Sequence, residues 1–385
     1  MSFDPRALAT SGVRELHPYQ PGKPIEELER ELGISNTLKL ASNENPLGPS
    51  PKAVAAMQSC LKDVAFYPDG NGFALKTALA AHHNVSADCI TLGNGSNDVL
   101  DLVARAFMNS GTSAVFSRHA FAVYPIVTQA VGAKSRIAEP NAQDHLMPYG
   151  HDLAAMANAV DTHTRVVFVA NPNNPTGTWL RADELRSFVA SLPQTAIVVV
   201  DEAYFEYVRE PEYPNTVDWL VDFPNLVVTR TFSKIYGLAG ARIGYGVSSP
   251  AIADLLNRVR QPFNANSLAL AAAAAALGDT THVEHSISVN AEGLQTLATA
   301  CEARGLAVIP SVANFLCIEV GRPGGEVYDA LLREGVIVRP VGNYGLPQHL
   351  RITIGAPAQN ARVIAAFDKV LARISHHDDE PSLDL

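Results

Sequence analysis

The sequence predicts an α/β fold in which a mostly parallel β-sheet lies between layers of helices and is followed by a smaller α+β domain. Its 385 residues, 47% of them hydrophobic, suffice for two or three folding units with their own cores. Short apolar runs rich in β-branched residues alternate with Ala- and Leu-rich helical stretches. Because these runs are continuously apolar, they indicate strands that are buried on both faces, as in parallel sheets.

Six such runs define the predicted sheet, at residues 90–93, 113–117, 165–169, 196–200, 225–229 and 242–247. An Ala-rich helix over 269–277 leads out of it. The smaller unit comprises helices near 290–304 and 325–334 and strands at 306–309, 315–319, 336–339 and 350–354. We expect a Pro-rich arm with a helix near 24–32 and part of the small domain over 1–42. A large domain over 43–277, the small domain over 278–375 and a flexible tail over 376–385 follow.

Charge and cysteine content exclude several classes of protein. The formal net charge is −10, which argues against a general nucleic-acid or acidic-membrane binder, whose surface is basic. The four cysteines, Cys60, Cys89, Cys301 and Cys317, have neither C-x-x-C nor metal-ligand spacing, so we expect buried free thiols and no metal site. A secretory signal and a membrane span are not apparent, which predicts a cytoplasmic protein.

Polar motifs follow three of the predicted strands, where open α/β sheets bind ligands. They are N-P-N-N-P-T-G with Asn174, D-E-A-Y with Asp201 and Tyr204, and T-F-S-K ending at Lys234. A lysine among small residues at a buried strand end can lose hydration, lower its pKa and become a nucleophile toward a carbonyl group. A carboxylate such as Asp201 can keep a pyridine nitrogen protonated. The combination indicates an enzyme site rather than ordinary turns.

The segment from Gly93 to Asp98, G-N-G-S-N-D, lies between a strand and a predicted helix over 98–107. Backbone N–H groups at a helix N-terminus bind phosphate readily. The segment is not a dinucleotide fingerprint, because Asp98 occupies the third glycine position of G-x-G-x-x-G, and the chain has no P-loop. We name residues 93–98 the phosphate turn.

Together these motifs resemble the pyridoxal 5′-phosphate (PLP) dependent aminotransferases of fold type I, which have a mostly parallel seven-stranded sheet. The resemblance extends from L-H-P-Y-Q at 16–20 to L-R-I-T-I-G at 350–355 and is closest, within that family, to the histidinol-phosphate aminotransferases. It implies PLP bound in the large domain. It also implies transamination of histidinol phosphate with 2-oxoglutarate, giving imidazole acetol phosphate and glutamate in histidine biosynthesis.

The resemblance also implies roles for individual residues. Lys234 would hold PLP covalently and move the proton, Asp201 would pair with the ring nitrogen, and Asn174 and Tyr204 would contact the ring hydroxyl. The remaining cofactor contacts would be Phe121, stacked on the ring, and Gly95, Ser96, Asn97, Ser233 and Arg242 on the phosphate. Tyr67 would reach that phosphate from the other subunit of a homodimer. On the substrate side, Arg351 would bind the α-carboxylate, Tyr19 and Arg339 the substrate phosphate, and Asn43 would line the entrance.

Three alternatives stay open at this point. An aromatic-amino-acid aminotransferase and a threonine-phosphate decarboxylase would use the same scaffold, and a preference for phenylalanine or release of CO₂ would identify them. A regulator that senses an effector through such a domain would need a basic DNA-binding segment, and we expect none before Leu16 or after Ser375.

Overall fold

The computed structural model describes residues 3–378. Its strands are β1 Leu38–Lys39, β2 Ile90–Gly93, β3 Ser113–Ser117, β4 Lys134–Ala138, β5 Thr164–Ala170, β6 Ile197–Asp201, β7 Leu226–Thr231, β8 Gly244–Ser248, β9 Ala307–Ile309, β10 Phe315–Glu319, β11 Val336–Ile337, β12 Arg339–Pro340 and β13 His349–Thr353. Its α-helices are α1 Pro5–Leu8, α2 Ser11–Arg14, α3 Ile25–Leu32, α4 Pro51–Cys60, α5 Phe73–His83, α6 Ser96–Phe107, α7 Val123–Ala130, α8 Leu153–Ala159, α9 Ala182–Ser191, α10 Pro250–Val259, α11 Ser267–Leu277, α12 Thr280–Glu302, α13 Gly324–Arg333 and α14 Pro357–Asp378.

The large sheet has seven strands in the order β2-β8-β7-β6-β5-β3-β4. Strands β3 to β7 pair in parallel, whereas β8 is antiparallel to both of its neighbours. This confirms the predicted mostly parallel, seven-stranded sheet. Val167, Val199 and Val228, on the three central strands, have no exposed surface because helices cover both faces of the sheet.

Two details of the sheet differ from the prediction. Strand β4 was not predicted, because its side chains are mostly exposed and it lies at the edge of the sheet, so it lacks a continuous apolar run. Strand β8 begins at Gly244 rather than at residue 242. Arg242 instead ends a short 3₁₀ turn, Ala239–Ala241, with a left-handed φ of 59°, so the prediction that Arg242 starts the strand was wrong.

The smaller unit is built around a four-stranded antiparallel sheet in the order β12-β13-β10-β9. The strand predicted at 336–339 is divided into two. Val336 and Ile337 pair in parallel with Leu38 and Lys39, whereas Arg339 pairs with Arg351. Helix α12 begins ten residues earlier than predicted, at Thr280. The chain segment before residue 43 therefore contributes a strand to this unit.

Apolar side chains fill both faces of the large sheet and a separate core in the small unit. In α11, Ala269, Ala272, Ala273 and Ala276 are buried, which allows the helix to approach α4 and α5 closely. Helix α14 continues to Asp378, and the rest of the predicted tail lies outside the described residues.

The cysteines differ in exposure. Cys301 and Cys317 are buried as predicted, but Cys60 and Cys89 are partly exposed because they end short helical segments near the surface. Over residues 3–378, the structure has neither a helix long and apolar enough to cross a membrane nor a cluster of potential metal ligands.

Candidate active site

A cavity of about 180 Å³ lies at the carboxyl ends of the adjacent strands β5, β6 and β7, where the small unit covers the sheet. Of the predicted site residues, those that line it are Tyr19, Asn43, Ser96, Asn97, Phe121, Asn174, Asp201, Tyr204, Ser233, Lys234, Arg242, Arg339 and Arg351. The fold therefore gathers residues that are separated by more than 300 positions in the chain. Gly95 and Tyr67 do not line this cavity, which we call the active-site cavity.

Lys234 follows β7 by three residues and is half-buried. Its Nζ donates a hydrogen bond to the Ser42 carbonyl oxygen at 3.0 Å and lies 5.7 Å from the centre of the Tyr204 ring. Loss of hydration, followed by the positive charges of Arg351 and Arg242, lowers the pKa of Lys234 to about 7. A substantial fraction of this amine is thus neutral near pH 7 and available as a nucleophile or a base.

Asp201 is the last residue of β6 and is buried. The Tyr124 hydroxyl donates to Oδ2 at 2.9 Å, and the Thr229 hydroxyl donates to Oδ1 at 3.0 Å. Burial raises the pKa of Asp201, while both hydrogen bonds lower it. The two donors hold the carboxylate in one orientation and leave further lone pairs for a cation or an N–H group in the cavity.

Tyr124 and Thr229 were not identified from the sequence. The Tyr124 ring is fully buried, stacks on Phe168 at 4.7 Å and meets Phe121 edge-on at 5.9 Å. One side chain therefore supports both Asp201 and an aromatic wall of the cavity. Its position in the sequence does not distinguish Tyr124 from other buried aromatic residues of an amphipathic helix such as α7. Only the fold shows that its hydroxyl contacts Asp201.

The phosphate turn is shaped by close backbone approaches at two glycines. Gly95 has a φ of 85°, and a Cβ there would lie 2.7 Å from Nη2 of Arg242. A Cβ on Gly244 would lie 2.4 Å from the Ser96 backbone nitrogen. The carboxylate of Asp98 accepts a hydrogen bond from the Asn94 backbone N–H at 2.8 Å, which closes the turn. A side chain at either glycine would therefore clash with the phosphate turn or with Arg242.

This donor set fits a phosphate monoester. Helix α6 begins at Ser96, so the N–H groups at its start are directed at the cavity, and the Arg242 guanidinium lies beside them. Ser233 also lines the cavity and adds a hydroxyl. Together with Lys234 and Asp201, the residues present fit an aldehyde-bearing pyridine that carries a phosphate.

Arg351 lies in β13 and is buried. It donates to Asn174 Oδ1 at 2.5 Å and to the Ala41 carbonyl at 2.7 Å. Its Nε has no hydrogen-bond partner among the described residues. A buried N–H of this kind is costly unless a ligand satisfies it, so this guanidinium is suited to an anionic group in the cavity.

Arg339 is the cross-strand neighbour of Arg351, so the two side chains lie on the same face of the small sheet. It is buried, donates to the Gln20 carbonyl at 2.7 Å and lies 5.9 Å from the ring centre of Tyr19. Tyr19 itself is half-exposed at the mouth of the cavity. The strand pairing therefore places two guanidinium groups next to each other where the small sheet lines the cavity.

Asn43 and Tyr67 occupy different environments. Asn43 is buried, and its Nδ2 donates to the Tyr204 hydroxyl at 2.9 Å, so it contacts the cavity wall directly. Tyr67 is 82% exposed and stacks on Phe263 at 4.6 Å. Leu61, Val64, Phe66 and Phe73 are exposed near it in the chain.

Comparisons with known proteins identify the family of the chain. The model of the family "Aminotransferase class I and II" matches residues 35–367. The chain is 57% identical to histidinol-phosphate aminotransferase 2 of Pseudomonas fluorescens, over 97% of this chain and 100% of that protein. It is 55% identical to histidinol-phosphate aminotransferase 1 of Nitrosococcus oceani, over 94% and 97%.

A solved structure is also similar over nearly the whole chain. It is the histidinol-phosphate aminotransferase of Sinorhizobium meliloti in complex with pyridoxal-5′-phosphate, with a TM-score of 0.87 and 29% identity. The similarity covers 95% of this chain and 98% of that one.

Proposed function

This chain belongs to the class I and II aminotransferases, and we propose that it transfers the amino group of L-histidinol phosphate to 2-oxoglutarate through PLP. The products are imidazole acetol phosphate and glutamate, and the reaction belongs to histidine biosynthesis. The observation that carries the substrate is the pair of buried arginines, Arg339 and Arg351, on one face of the small sheet. We place the reaction in the cytoplasm, where thiols such as Cys60 stay reduced.

The cofactor would be held by the residues that line the sheet side of the cavity. The phosphate turn, Ser233 and Arg242 would bind its phosphate, Asp201 would pair with its ring nitrogen, and Phe121 would pack on its ring. Asn174 and Tyr204 would contact the ring hydroxyl. When bound, PLP supplies an electron-withdrawing ring that makes the hydrogen on the amine-bearing carbon of the substrate acidic.

Proton movement is assigned to Lys234. The neutral amine, favoured by the lowered pKa, removes the hydrogen from the amine-bearing carbon of the substrate. The same amine, once protonated, would return that proton to the cofactor carbon that carries the amino group. The hydrogen bond to the Ser42 carbonyl and the contact with the Tyr204 ring limit where Nζ can go. Because the amino group would be stored in the site between the two half-reactions, we expect ping-pong kinetics: the deaminated product of the donor leaves before the keto acid binds.

The two amino-containing compounds of the reaction, glutamate and histidinol phosphate, bring different anionic groups into the active-site cavity. Glutamate has an α-carboxylate, which Arg351 is expected to bind. Histidinol phosphate has no carboxylate and carries one phosphate. We infer that Arg351 serves both substrates, binding the carboxylate of glutamate or the phosphate of histidinol phosphate. Arg339 and Tyr19 then complete the phosphate contacts. The unpartnered Nε of Arg351 supports this shared role.

Replacing Arg339 by methionine tests the substrate assignment. A charge-assisted hydrogen bond contributes roughly 1.5–3 kcal/mol, so the preference in kcat/KM for histidinol phosphate over L-histidinol should fall by about 30-fold. Steady-state kinetics with both donors measures this preference. Arg333→Met, at an exposed arginine ending α13, is the matched control and should leave it unchanged. An unchanged preference in Arg339→Met would remove the phosphate role from Arg339.

Tyr124→Phe removes one of the two hydrogen bonds to Asp201 but keeps the stacked ring. We expect PLP to bind about tenfold more weakly, because the carboxylate loses a donor that contributes roughly 1–2 kcal/mol and fixes its orientation. Equilibrium dialysis of PLP against the apoenzyme measures the change. Tyr236→Phe, at another buried tyrosine of the large domain, is the control. Equal affinities for the Tyr124→Phe variant and the unaltered enzyme would show that this hydroxyl does not support the cofactor site.

We propose further that the enzyme is a homodimer in which Tyr67 reaches the PLP phosphate of the partner subunit. The exposed apolar side chains at 61–73 and Phe263 support this, because a cluster of this kind indicates a protein–protein contact. Tyr67 also lies outside the lining of the active-site cavity of its own chain.

Mixing subunits tests the position of Tyr67. Lys234→Ala and Tyr67→Ala homodimers should each have low activity. After dissociation and reassociation, a mixed dimer has one site with both residues intact, so activity should rise well above that of either parent and at most to about a quarter of the unaltered value. No rise in a sample shown by native mass spectrometry to contain mixed dimers would place Tyr67 in its own subunit's site or outside both.

A further inference from the structure

A second cavity, of about 440 Å³, lies beside the loop that follows β5 and shares no lining residue with the active-site cavity. Its volume is within the range that small-molecule sites occupy in proteins. The walls come from helices α8 and α9, from the segment 141–147 and from Thr178, Trp179 and Leu180. The reaction proposed above uses none of these residues.

Apolar side chains, two of them aromatic, form part of the lining of the second cavity. Leu180 and Phe188 are buried, and Met147, Leu153 and Trp179 are partly exposed on the cavity surface. Trp179 also makes an edge contact with Tyr213, which does not line the cavity, at 6.2 Å between ring centres. An indole face is the aromatic surface that attracts cations most strongly.

Two histidines line the cavity: burial lowers the pKa of His151 to about 4, and Nδ1 of His145 accepts a hydrogen bond from the Met147 backbone N–H at 3.0 Å. The other charged groups of the lining have one sign. Glu184, exposed at the start of α9, is a lining carboxylate, whereas no lysine or arginine lines the cavity among the described residues. The nearby Arg181 guanidinium pairs with Glu212 and Asp183 and is not part of the lining. The active-site cavity instead contains Arg242, Arg339 and Arg351. The two cavities therefore suit ligands of opposite charge, and phosphate esters are disfavoured in the second.

The loop that follows β5, residues 171–178, contributes lining residues to both cavities. The Asn173 side chain donates to Thr176 Oγ1 at 2.8 Å, which lies 2.7 Å from the hydroxyl of Thr178 in the second cavity. Nε2 of His151, a second-cavity residue, donates to the carbonyl of Ala170 at 2.9 Å. Ala170 lines the active-site cavity, as does Asn174 in the same loop.

We propose that the second cavity is an accessory binding site for a small organic cation with an aromatic body. The ring lies among Phe188, Leu153 and the indole of Trp179, and the cationic group faces Glu184. The site is separate from the catalytic one and does not depend on which amino donor the enzyme uses.

Trp179 is a built-in reporter of binding, since the chain contains two tryptophans and Trp219→Phe leaves it as the only one. The probe is benzyltrimethylammonium, which cannot react with the cofactor because its nitrogen is quaternary. Titration of the Trp219→Phe holoenzyme should give a saturable change in emission, with the same dissociation constant by isothermal titration calorimetry. Phenylacetate, of similar size and opposite charge, should give none.

Three variants locate the probe. Glu184→Gln should weaken binding by about fivefold, as expected for an exposed ion pair, whereas the adjacent Asp183→Asn, with the same change in net charge outside the lining, should have less than a twofold effect. Ala157→Phe should abolish binding by filling the cavity, with circular dichroism as the check on folding. Absence of saturable binding, equal effects of the Glu184 and Asp183 variants, or unimpaired binding by a folded Ala157→Phe variant would overturn the proposal. If the unaltered enzyme failed to use histidinol phosphate, the proposed function would be wrong, but the predicted binding of the probe at the second cavity would stand.

Discussion

A Lys234→Ala variant is expected to lose at least about four orders of magnitude in kcat and to contain no covalently attached PLP. The side chain is both the attachment point and the group that moves the proton, and removal of such a group forfeits both contributions. No other lysine lines the active-site cavity among the described residues, so no neighbouring amine replaces it. Borohydride reduction followed by peptide mass spectrometry locates the cofactor, and glutamate formation measures kcat.

The control for this variant is Lys134→Ala, which removes an exposed lysine at the edge strand β4. It should keep full activity and carry the cofactor on Lys234. An active Lys234→Ala enzyme, or a reduced cofactor found on another lysine of the unaltered enzyme, would contradict the assignment of Lys234.

The second-largest loss is expected for Asp201→Asn, about a thousandfold in kcat. An asparagine has nearly the same size but carries no charge to keep the ring nitrogen of PLP protonated. Each pKa unit by which the carboxylate raises the pKa of that nitrogen corresponds to about 1.4 kcal/mol, or a factor of about ten, so a rise of about three units accounts for the loss. The absorbance of bound PLP, titrated with pH, should lose the protonated-nitrogen form.

If Asp201→Asn lowered kcat only by disturbing the structure, the pH titration of the PLP absorbance would stay unchanged. The spectrum therefore distinguishes a structural effect from the loss of the charge that keeps the ring nitrogen protonated. Thr229→Val is a useful comparison, because it removes a hydrogen bond to the same carboxylate and keeps the charge. It should reduce kcat by less than about tenfold. An Asp201→Asn enzyme with more than a tenth of the original kcat would contradict the role given to Asp201.

Much of the site could be predicted from the sequence because its chemistry follows buried strands. Asn174, Asp201 and Lys234 each come after an apolar run, and the parallel arrangement of such strands places their ends together. The phosphate turn was predicted for the same local reason, a glycine-containing segment between a strand and a helix.

What the sequence did not reveal depends on contacts between distant parts of the chain. The strand predicted at 336–339 divides because its first half pairs with residues 38–39 and its second half with β13. Tyr124 and Thr229 reach Asp201 from different elements, and neither has a local signature. The side-by-side placement of Arg339 and Arg351 is a consequence of strand register, which motif spacing does not determine.

The net charge illustrates the same difference between chain and site. A formal charge of −10 argues against a general binder of nucleic acid, yet the active-site cavity contains Arg242, Arg339, Arg351 and a helix N-terminus. Overall charge governs long-range attraction, whereas anion binding depends on the few groups that face the cavity.

The most direct test of the proposed function is a single-turnover spectrum of the PLP-loaded enzyme mixed with L-histidinol phosphate and no keto acid. We expect complete conversion of the cofactor to its amine form, with one equivalent of imidazole acetol phosphate per site, and reversal on addition of 2-oxoglutarate. Conversion by L-phenylalanine at the same concentration should be at least about a hundredfold slower. No conversion by histidinol phosphate, or faster conversion by phenylalanine, would contradict the proposed function.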